Sequence, residues 1–163
     1  MKSLIVQNQE GQYEFRKPLT SKELIVSALD VLSKQVIKGE EICSTEASQS
    51  FLRLSLGGEE REVFAALFLD NRHRVIAFEK LFFGTISSAA VHPREIIKRA
   101  LELNAAALIL AHNHPSGVVT PSQSDIDITQ AVKQLTDLIE VRVLDHIIVS
   151  SEGSYSMAKQ GDI

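Results

Sequence analysis

The feature that most constrains the fold is a continuous apolar run, AAALILAH, which ends on His112 and is soon followed by a second histidine, His114. The run has the length of a β-strand and falls far short of the ~20 residues that a membrane-spanning helix needs. An unbroken apolar strand is typical of a sheet that helices cover on both faces. We therefore expect an α/β protein in which this strand is buried and carries two histidines at its end.

Hydrophobic periodicity predicts the other helices and strands in an alternating order. The first is an amphipathic helix over 21–38, which Ser21 caps and whose apolar face consists of Leu24, Ile25, Ala28, Leu29, Leu32 and Val36. A shorter helix runs from Ser44 or Thr45 to Leu56 and is stopped by Gly57 and Gly58. The later elements are an antiparallel strand pair over 62–70 and 73–84, a helix over 93–104 opened by Pro93, a helix over 121–140, a strand over 141–149 and a hairpin-like segment over 151–158. This order predicts a mixed α/β sandwich. Its N-terminal arm and helix cover residues 1–44, where residues 1–20 suit either an edge hairpin or a loose arm, and the domain covers residues 45–163.

Composition limits the classes of function that fit the chain. With 163 residues, 44% hydrophobic and 23% charged, it has the composition of a soluble globular domain. No segment is typical of a signal peptide or a membrane span, so we expect a cytoplasmic protein with no membrane partner. The formal net charge of −4 disfavours a nucleic acid partner, and the single Cys43 excludes an internal disulfide framework and a cysteine-rich zinc site.

His112 and His114 are suited to binding one metal ion. Residues i and i+2 of a strand point to the same side of the sheet, so the two imidazoles can meet at one point while Asn113 turns away. Neutral imidazole is a good zinc ligand at ~2.0 to 2.1 Å, and a catalytic zinc usually has three protein ligands and one water. Two histidines that only hydrogen-bond at a strand end show the same spacing, so His-x-His alone does not distinguish these interpretations.

A carboxylate returns toward the imidazoles after a short loop. The residues PSG indicate a turn, and the next ones predict a helix with Thr120 as its N-cap and Pro121 at its first position. Asp125 and Asp127 both fall in the opening turns of that helix. The phase of its apolar stripe does not choose between them, and either aspartate would also suit the positive end of the helix dipole. The stripe consists of Ile128, Ala131, Val132, Leu135 and Leu138.

The segment HNHPSGVVTPSQSD contains His-x-His, seven further residues, a serine, two residues and an aspartate. This pattern resembles the JAMM motif of the JAB/MPN metalloprotease fold. More narrowly, GTISSAAVHPREIIKRALELNAAALILAHNHPSG and the later VLDHIIV resemble the RadC-like bacterial branch, in a match that runs from about Glu60 to the end. The resemblance implies a JAB/MPN-like (cytidine-deaminase-like) mixed-sheet α/β sandwich. It also implies that His112, His114 and Asp125 are zinc ligands, with Asp125 preferred to Asp127.

The same resemblance implies two roles in catalysis. Glu62, where GGEER meets the core strand, would take a proton from a zinc-bound water and deliver it to the leaving amine. A solvated flanking charge is the alternative interpretation of Glu62, and Glu79 is the alternative base, although an ordinary edge-strand charge explains Glu79 better. Ser122 would donate a hydrogen bond to the oxyanion of the reaction. A serine that satisfies a backbone N–H in the first helical turn is the alternative for Ser122.

The remaining polar residues of interest are interpreted as structural. Asp145 and His146 point to opposite faces of the late strand, and His146 is expected to support a ligand rather than to be one. His92 and His73 are expected at the surface or at caps. Ser116 is expected in a turn, because no base and orienting acid are evident for it.

Three functions from different classes fit these observations. The first is a zinc-dependent hydrolase of metallopeptidase or isopeptidase type, with a peptide or protein substrate. The second is a non-catalytic JAB/MPN-fold binding module or an accessory protein linked to DNA repair; such modules usually lose ligands, whereas this chain keeps every motif position. The third is direct action on nucleic acid, which GEEICST disfavours because it lacks the glycine-centred hairpin found in longer RadC-like members. A zinc-dependent nucleobase deaminase would need two nearby cysteines, and Cys43 is the single cysteine of this chain.

Overall fold

The computed structural model describes residues 5–37, 45–85 and 90–163. Helices and strands occur there in the order that the sequence predicts. In chain order the elements are β1 Ile5–Gln7, β2 Tyr13–Phe15, α1 Ser21–Ile37, α2 Thr45–Leu56, β3 Val63–Leu69, β4 Val75–Phe83, α3 Pro93–Glu102, β5 Ala107–Asn113, α4 Gln123–Asp137, β6 Arg142–Val149, β7 Ser154–Ser156 and α5 Met157–Gln160. Cys43 and the alternative helix start at Ser44 lie outside the described residues.

Five strands form one mixed sheet, in the order β4-β3-β5-β6-β7. β3 pairs antiparallel with β4 and β5, β5 pairs in parallel with β6, and β6 pairs antiparallel with β7. Because other strands flank β3 and β5 at both edges, and helices cover their faces, every residue of these two strands is buried. The prediction of an α/β fold with a mixed sheet is confirmed.

The two faces of the sheet pack into separate cores, because successive residues of a strand point to opposite sides. Ile109 of β5 belongs to the core that also contains Leu52 of α2. Its neighbour Leu108 belongs to the other core, which also contains Val132 of α4. His112 continues the series of Leu108, so its imidazole lies on the face of the sheet that α3 and α4 cover.

The N-terminal arm contains a hairpin, in which β1 and β2 pair antiparallel with Ile5 opposite Phe15. Helix α1 begins where predicted, but the prediction of Ser21 as its cap was wrong, because Thr20 caps it. The Glu23 N–H donates to Thr20 Oγ1 (3.3 Å), and the Thr20 N–H donates to the Glu23 carboxylate (2.9 Å). Such a reciprocal capping box needs a Glu or similar residue three positions after the cap, and Thr20 has one whereas Ser21 does not.

The start of α4 was also predicted wrongly. Ser122 is the N-cap, so the helix begins two residues later than a cap at Thr120 with Pro121 in the first turn would place it. The reason is again local, since Ser122 and Asp125 form a reciprocal capping box. At the other end of the domain, the hairpin-like segment is present as β7 against β6, but it ends at Ser156, where the short helix α5 begins.

The apolar stripes predicted for α1 and α4 match the buried faces of these helices only in part, since Val132 of the α4 stripe is fully buried but other members are exposed. In α1, Leu24 and Ile25 are 47% and 46% exposed, and after α4 the C-cap residue Leu138 is 81% exposed. The face of α4 that packs on the sheet is largely polar, because its polar side chains have partners there. Its buried residues are Asp125, Thr129, Val132 and Thr136. Within the described ranges, no helix combines the length and apolar character that crossing a bilayer requires.

Candidate metal centre

The two histidines of the His-x-His pair meet at the carboxyl end of β5. His112 lies between Phe64 of β3 and Ile148 of β6 in the sheet register, and it is 1% exposed. His114 follows the strand, and its backbone N–H donates to the Val149 carbonyl at 2.9 Å. The Nε2 atoms of His112 and His114 are 2.9 Å apart. The period-two geometry of the strand thus directs both imidazoles to one point.

Asp125 brings a carboxylate to the same point from the first turn of α4. Its Oδ1 is 3.2 Å from His112 Nε2, and its Oδ2 is 3.6 Å from His114 Nε2. One ligand atom from each of the three residues lies within 4.8 Å of the others. Asp127 is exposed and accepts a hydrogen bond from the Gln123 amide at 2.8 Å, so the structure does not bring it to the imidazoles.

The donor atoms of this cluster favour a cation between them. His114 Nδ1 is 2.6 Å from the Val118 carbonyl oxygen, which can only accept, so Nδ1 carries the hydrogen and a neutral His114 has a bare Nε2. That lone pair then faces His112 Nε2 and the carboxylate of Asp125. A proton or a metal ion is needed to hold such electron-rich atoms together. The set of two imidazoles and one carboxylate fits a zinc-type site.

The charges of the cluster interact strongly. Burial by itself would raise the pKa of Asp125, but the adjacent imidazoles of His112 and His114, which donate to this carboxylate when they are protonated, hold that pKa far below its ordinary value. The hydrogen bond to Asp125 in turn raises the pKa of His114, against the opposing effect of burial. Asp125 is therefore an anion, and it favours positive charge at the point where the three side chains meet.

His146 lies directly behind His112 and does not reach the point where the other side chains meet. Its Nε2 is 2.8 Å from His112 Nδ1, on the side of that ring away from Asp125. His146 is fully buried, and burial lowers the pKa of its imidazole well below the ordinary value. The Phe64 ring packs against both imidazoles, with centroid distances of 6.2 Å to His112 and 5.4 Å to His146.

Glu62 lies immediately before β3, at the same end of the sheet as the cluster. Its N–H donates to the Thr85 carbonyl at 2.9 Å, and its carbonyl accepts from the Gly84 N–H at 2.8 Å. The side chain is half-buried. Burial raises the pKa of its carboxyl group, the nearby imidazoles of His112 and His114 oppose that rise when they are protonated, and the negative charge of Asp125 adds to it.

Asn113 holds the segment that carries Glu62 against β5. Its side-chain oxygen accepts from the Val63 N–H at 2.8 Å, and its amide donates to the carbonyl oxygens of Arg61 at 3.0 Å and Glu59 at 3.3 Å. The side chain is 1% exposed. Asn113 does turn away from the imidazoles, as the strand period predicts, but its hydrogen bonds to three residues around Glu62 were not anticipated.

The alternative base Glu79 is held elsewhere. On β4 its carboxylate accepts two hydrogen bonds from the Arg99 guanidinium of α3, at 2.6 and 2.8 Å. Such a bidentate pair is the common way in which an arginine binds a carboxylate at a surface. The structure therefore gives Glu79 an ion pair with α3.

Ser122 is bonded to Asp125 in both directions. Its hydroxyl donates to Asp125 Oδ2 at 2.6 Å and accepts from the Asp125 N–H at 3.3 Å, while its own N–H donates to the same Oδ2 at 2.7 Å. The residue is otherwise exposed. The interpretation of Ser122 as a serine that satisfies a helical N–H thus describes this structure, and the hydroxyl lies beside the metal-site aspartate.

The other polar residues singled out in the sequence have structural contacts. His73 is 3.2 Å from the Arg142 guanidinium, His92 stands at the N-cap of α3 without a side-chain cap bond, Asp145 accepts from the Ser156 hydroxyl at 2.6 Å, and Ser116 is exposed. One residue of the centre was missed. Thr129 lies one helical turn after Asp125 and contacts His146, and the signal for it was that i, i+4 spacing from the aspartate.

A mixed α/β sandwich that brings two strand-end histidines and a helix aspartate together defines a JAB-type domain. The chain belongs to the family of RadC-like JAB domains, whose model matches residues 42–162. The match includes the whole cluster of His112, His114 and Asp125 together with Glu62 and Ser122.

Relatives agree with this assignment. The chain is 48% identical over 138 residues to a UPF0758 protein of Vibrio cholerae, and the aligned region covers 85% of this chain and 87% of that protein. It is 48% identical over 145 residues to the UPF0758 protein YfjY of Escherichia coli, covering 88% of this chain and 91% of that protein. It is also 58% identical over 124 residues to a UPF0758 protein of Coxiella burnetii, covering 76% of this chain and 55% of that longer protein. These names state no activity.

Proposed function

We propose that the protein is a zinc-dependent hydrolase, of metallopeptidase or isopeptidase type, that cleaves an amide bond of a peptide or protein substrate with an activated water. The observation that carries this proposal is the convergence of His112, His114 and Asp125, whose ligand atoms lie within 4.8 Å of one another. Two imidazoles and one carboxylate make up the zinc-ligand set of several metallopeptidases, in which a water takes the fourth position.

The roles of the protein's own residues follow from their positions. When bound, zinc supplies a Lewis acid that lowers the pKa of a water to ~7. Glu62 would accept a proton from that water as the new C–O bond forms, and it would return the proton to the amine nitrogen as the C–N bond breaks. Burial raises the pKa of Glu62, which suits a carboxylate that has to take up and release a proton near neutral pH.

Ser122 is proposed to help the same reaction from its position beside Asp125. Its hydroxyl donates to Asp125 Oδ2 at 2.6 Å, and a rotation about its Cα–Cβ bond would redirect that hydrogen toward an oxyanion of the substrate. A hydrogen-bond donor to an oxyanion is worth up to ~10² to 10³ in turnover. The backbone N–H of Ser122 continues to hold Asp125 during such a rotation.

Metal binding is the first test. The purified full chain is expected to hold about one zinc per protein, since a catalytic site of this type binds a single ion. His112→Ala and Asp125→Asn are expected to lose it, as measured by elemental analysis after gel filtration. Asp127→Asn is the matched control because it removes the same charge from the same helical turn at an exposed position. Failure of the wild type to bind zinc, or full zinc in both variants, would contradict the proposal.

Cleavage is the second test. The zinc-loaded protein is incubated with a library of peptides and isopeptide-linked peptides, and the products are identified by mass spectrometry. Glu62→Gln is expected to keep its zinc and to lose ~10² to 10⁴ of the turnover that a general base supplies. Glu79→Gln, the control, is expected to keep both. A zinc-loaded wild type that cleaves nothing in the library would instead support a binding module, and undiminished turnover by Glu62→Gln would remove the proposed base.

A further inference from the structure

We propose that Thr129 and His146 are positioning residues that fix the tautomer of His112, so that the Nε2 lone pair of His112 always faces the metal site. This inference deepens the proposed function and rests on its metal centre. It concerns two side chains that touch neither the cluster's meeting point nor a substrate. It predicts which atom donates a hydrogen in each of three adjacent groups, namely the Thr129 hydroxyl and the imidazoles of His146 and His112.

The chain of hydrogen bonds begins at a group that can only accept. The Thr129 hydroxyl oxygen is 2.5 Å from the backbone carbonyl oxygen of Asp125 and 2.5 Å from His146 Nδ1. A hydroxyl has one hydrogen, and the carbonyl has none to offer, so the Thr129 hydrogen goes to Asp125. The bond between Thr129 and His146 then needs its hydrogen from the ring. His146 therefore carries its proton on Nδ1.

The second step transfers this direction to the metal ligand. His146 is 0% exposed, and within the described ranges its two ring nitrogens bond only Thr129 and His112. With no carboxylate on either nitrogen, a charged ring would be costly to bury, and the neutral ring has a bare Nε2. That Nε2 is 2.8 Å from His112 Nδ1, so Nδ1 of His112 has to donate.

His112 then has only one arrangement. With its hydrogen on Nδ1, the lone pair is on Nε2, the atom that faces His114 Nε2 at 2.9 Å and Asp125 Oδ1 at 3.2 Å. The opposite tautomer would point an N–H at the metal and could not bind it. Metal-binding histidines commonly have their other nitrogen bonded in this way, and loss of the partner costs ~10 to 100-fold in metal affinity.

The geometry also links the two halves of the metal centre. Asp125 supplies a carboxylate to the cluster and, through its backbone carbonyl, the acceptor that orders the chain behind His112. One turn of α4 thus positions a ligand from the helix and selects the binding form of a ligand on the sheet. A shift of α4 along β6 would disturb both at once.

Two pairs of variants test the inference in the full chain. Thr129→Val keeps the shape of the side chain but removes the hydroxyl, and Thr129→Ser keeps the hydroxyl. His146→Gln extends an acceptor to about the position of Nε2, whereas His146→Asn reaches only to about Nδ1 and offers His112 no acceptor. Zinc affinity, measured by competition with a chromophoric chelator, is expected to fall ~10 to 100-fold in Thr129→Val and His146→Asn. It is expected to stay within about threefold of wild type in Thr129→Ser and to fall less in His146→Gln than in His146→Asn.

A measurement without metal separates this role from general stability. Nitrogen-15 shifts of the imidazoles in the zinc-free wild type at pH ~8, above the ordinary imidazole pKa, report which nitrogen carries each proton. His112 and His146 are both expected as the Nδ1–H form, and Thr129→Val is expected to show a mixture for both.

The outcomes are distinct from those of the metal test. An Nε2–H form of His112 in the wild type would overturn the inference, as would wild-type affinity and wild-type shifts in Thr129→Val. The wild-type spectrum decides the question even if a variant fails to fold. A wild type with the expected tautomers but no zinc affinity would contradict the proposed function and leave the positioning role intact.

Discussion

Ser122 and Asp125 are each other's hydrogen-bond partner across the first turn of α4. The Ser122 hydroxyl and N–H both donate to Asp125 Oδ2, and the Asp125 N–H donates back to the hydroxyl. The other carboxylate oxygen, Oδ1, is 3.2 Å from His112 Nε2. The start of the helix and the candidate metal centre are thus one hydrogen-bonded structure, so we expect a change in the cap to alter the orientation of the Asp125 carboxylate.

Ser122→Ala is expected to affect stability, metal binding and turnover separately. Loss of the cap lowers the free energy of unfolding by ~0.5 to 2 kcal/mol, as measured by urea denaturation of the zinc-free protein. At saturating zinc, the loss of the proposed oxyanion donor lowers turnover by a further ~10² to 10³. Ser122→Thr, which keeps the hydroxyl, is the control for both effects. Unchanged turnover at full zinc occupancy would restrict Ser122 to its role in the cap.

Asn113→Asp is expected to impair catalysis without removing the metal. The carboxylate can still accept from the Val63 N–H, but it loses the two donations to the carbonyl oxygens of Arg61 and Glu59 and repels them. Because small displacements of a reacting group can cost ~10²-fold, turnover is expected to fall ~10 to 100-fold through movement of Glu62. Zinc content, measured in parallel, is expected to stay at the wild-type level. Asn71→Asp makes the same change at an exposed turn and should have no effect; an active Asn113→Asp would show that Glu62 needs no such support.

Glu62 is expected to destabilise the zinc-free protein at neutral pH. Because burial raises the pKa of this carboxyl group in the folded state, the folded protein takes up its proton at a higher pH than the unfolded chain does. The free energy of unfolding therefore falls as the pH rises through the folded-state pKa. Glu62→Gln removes this loss, so it is expected to be more stable than wild type at pH ~7, with an advantage that shrinks toward pH ~4.3.

Urea denaturation of both zinc-free proteins across this pH range measures the difference. Glu79→Gln provides a control of opposite sign, since it breaks the ion pair with Arg99 and is expected to lose less than ~1 kcal/mol at neutral pH. A Glu62→Gln variant that is less stable than wild type at neutral pH would show that the carboxylate is favoured in its charged form.

Gly57 and Gly58 follow α2 and are expected to respond very differently to alanine. A Cβ at Gly57 would lie 2.6 Å from the Arg53 carbonyl oxygen and 3.2 Å from that of Ser150, whereas a Cβ at Gly58 would meet nothing within 4 Å. Gly57→Ala is therefore expected to lower the free energy of unfolding by ~1 to 3 kcal/mol. Gly58→Ala is expected to be neutral or to stabilise by ~0.4 to 1 kcal/mol. Equal effects in thermal or urea denaturation would contradict the two close backbone contacts at Gly57.

The glycine pair predicts where α2 ends, but the usual reason for glycine at a helix end does not explain Gly57. The pair correctly predicts the end of α2 near Leu56. Glycines at such ends commonly adopt a left-handed backbone, but the positive-φ glycines of the described residues are Gly11, Gly117 and Gly161. A Cβ at Gly57 would first meet the Arg53 carbonyl oxygen of α2 itself, at 2.6 Å, and then the Ser150 carbonyl oxygen at 3.2 Å, and only the second contact depends on tertiary packing.

The sequence by itself determined the order of the elements, the mixed α/β class and the convergence of His112 and His114. Each depends on a period of two or of about 3.6 residues, which the backbone imposes on neighbours in the chain. The resemblance to JAB domains also favoured Asp125, where helix phase alone left Asp127 open. The cap of α1 was predicted one residue too late and that of α4 two residues too early, because side-chain bonding at Thr20 and Ser122 outweighed the positional preferences of Ser21 and Pro121.

Only the tertiary structure decided which face of α4 is buried. Its polar residues Asp125 and Thr129 face the sheet because β5 and β6 offer them His112 and His146 as partners, while Leu138 beyond the last turn is left exposed. Buried polar side chains generally need a partner, and for Asp125 and Thr129 the imidazole partners lie on strands of the sheet. Periodicity along one helix contains no information about that partner, so the contacts behind His112 and around Glu62 could be known only from the folded chain.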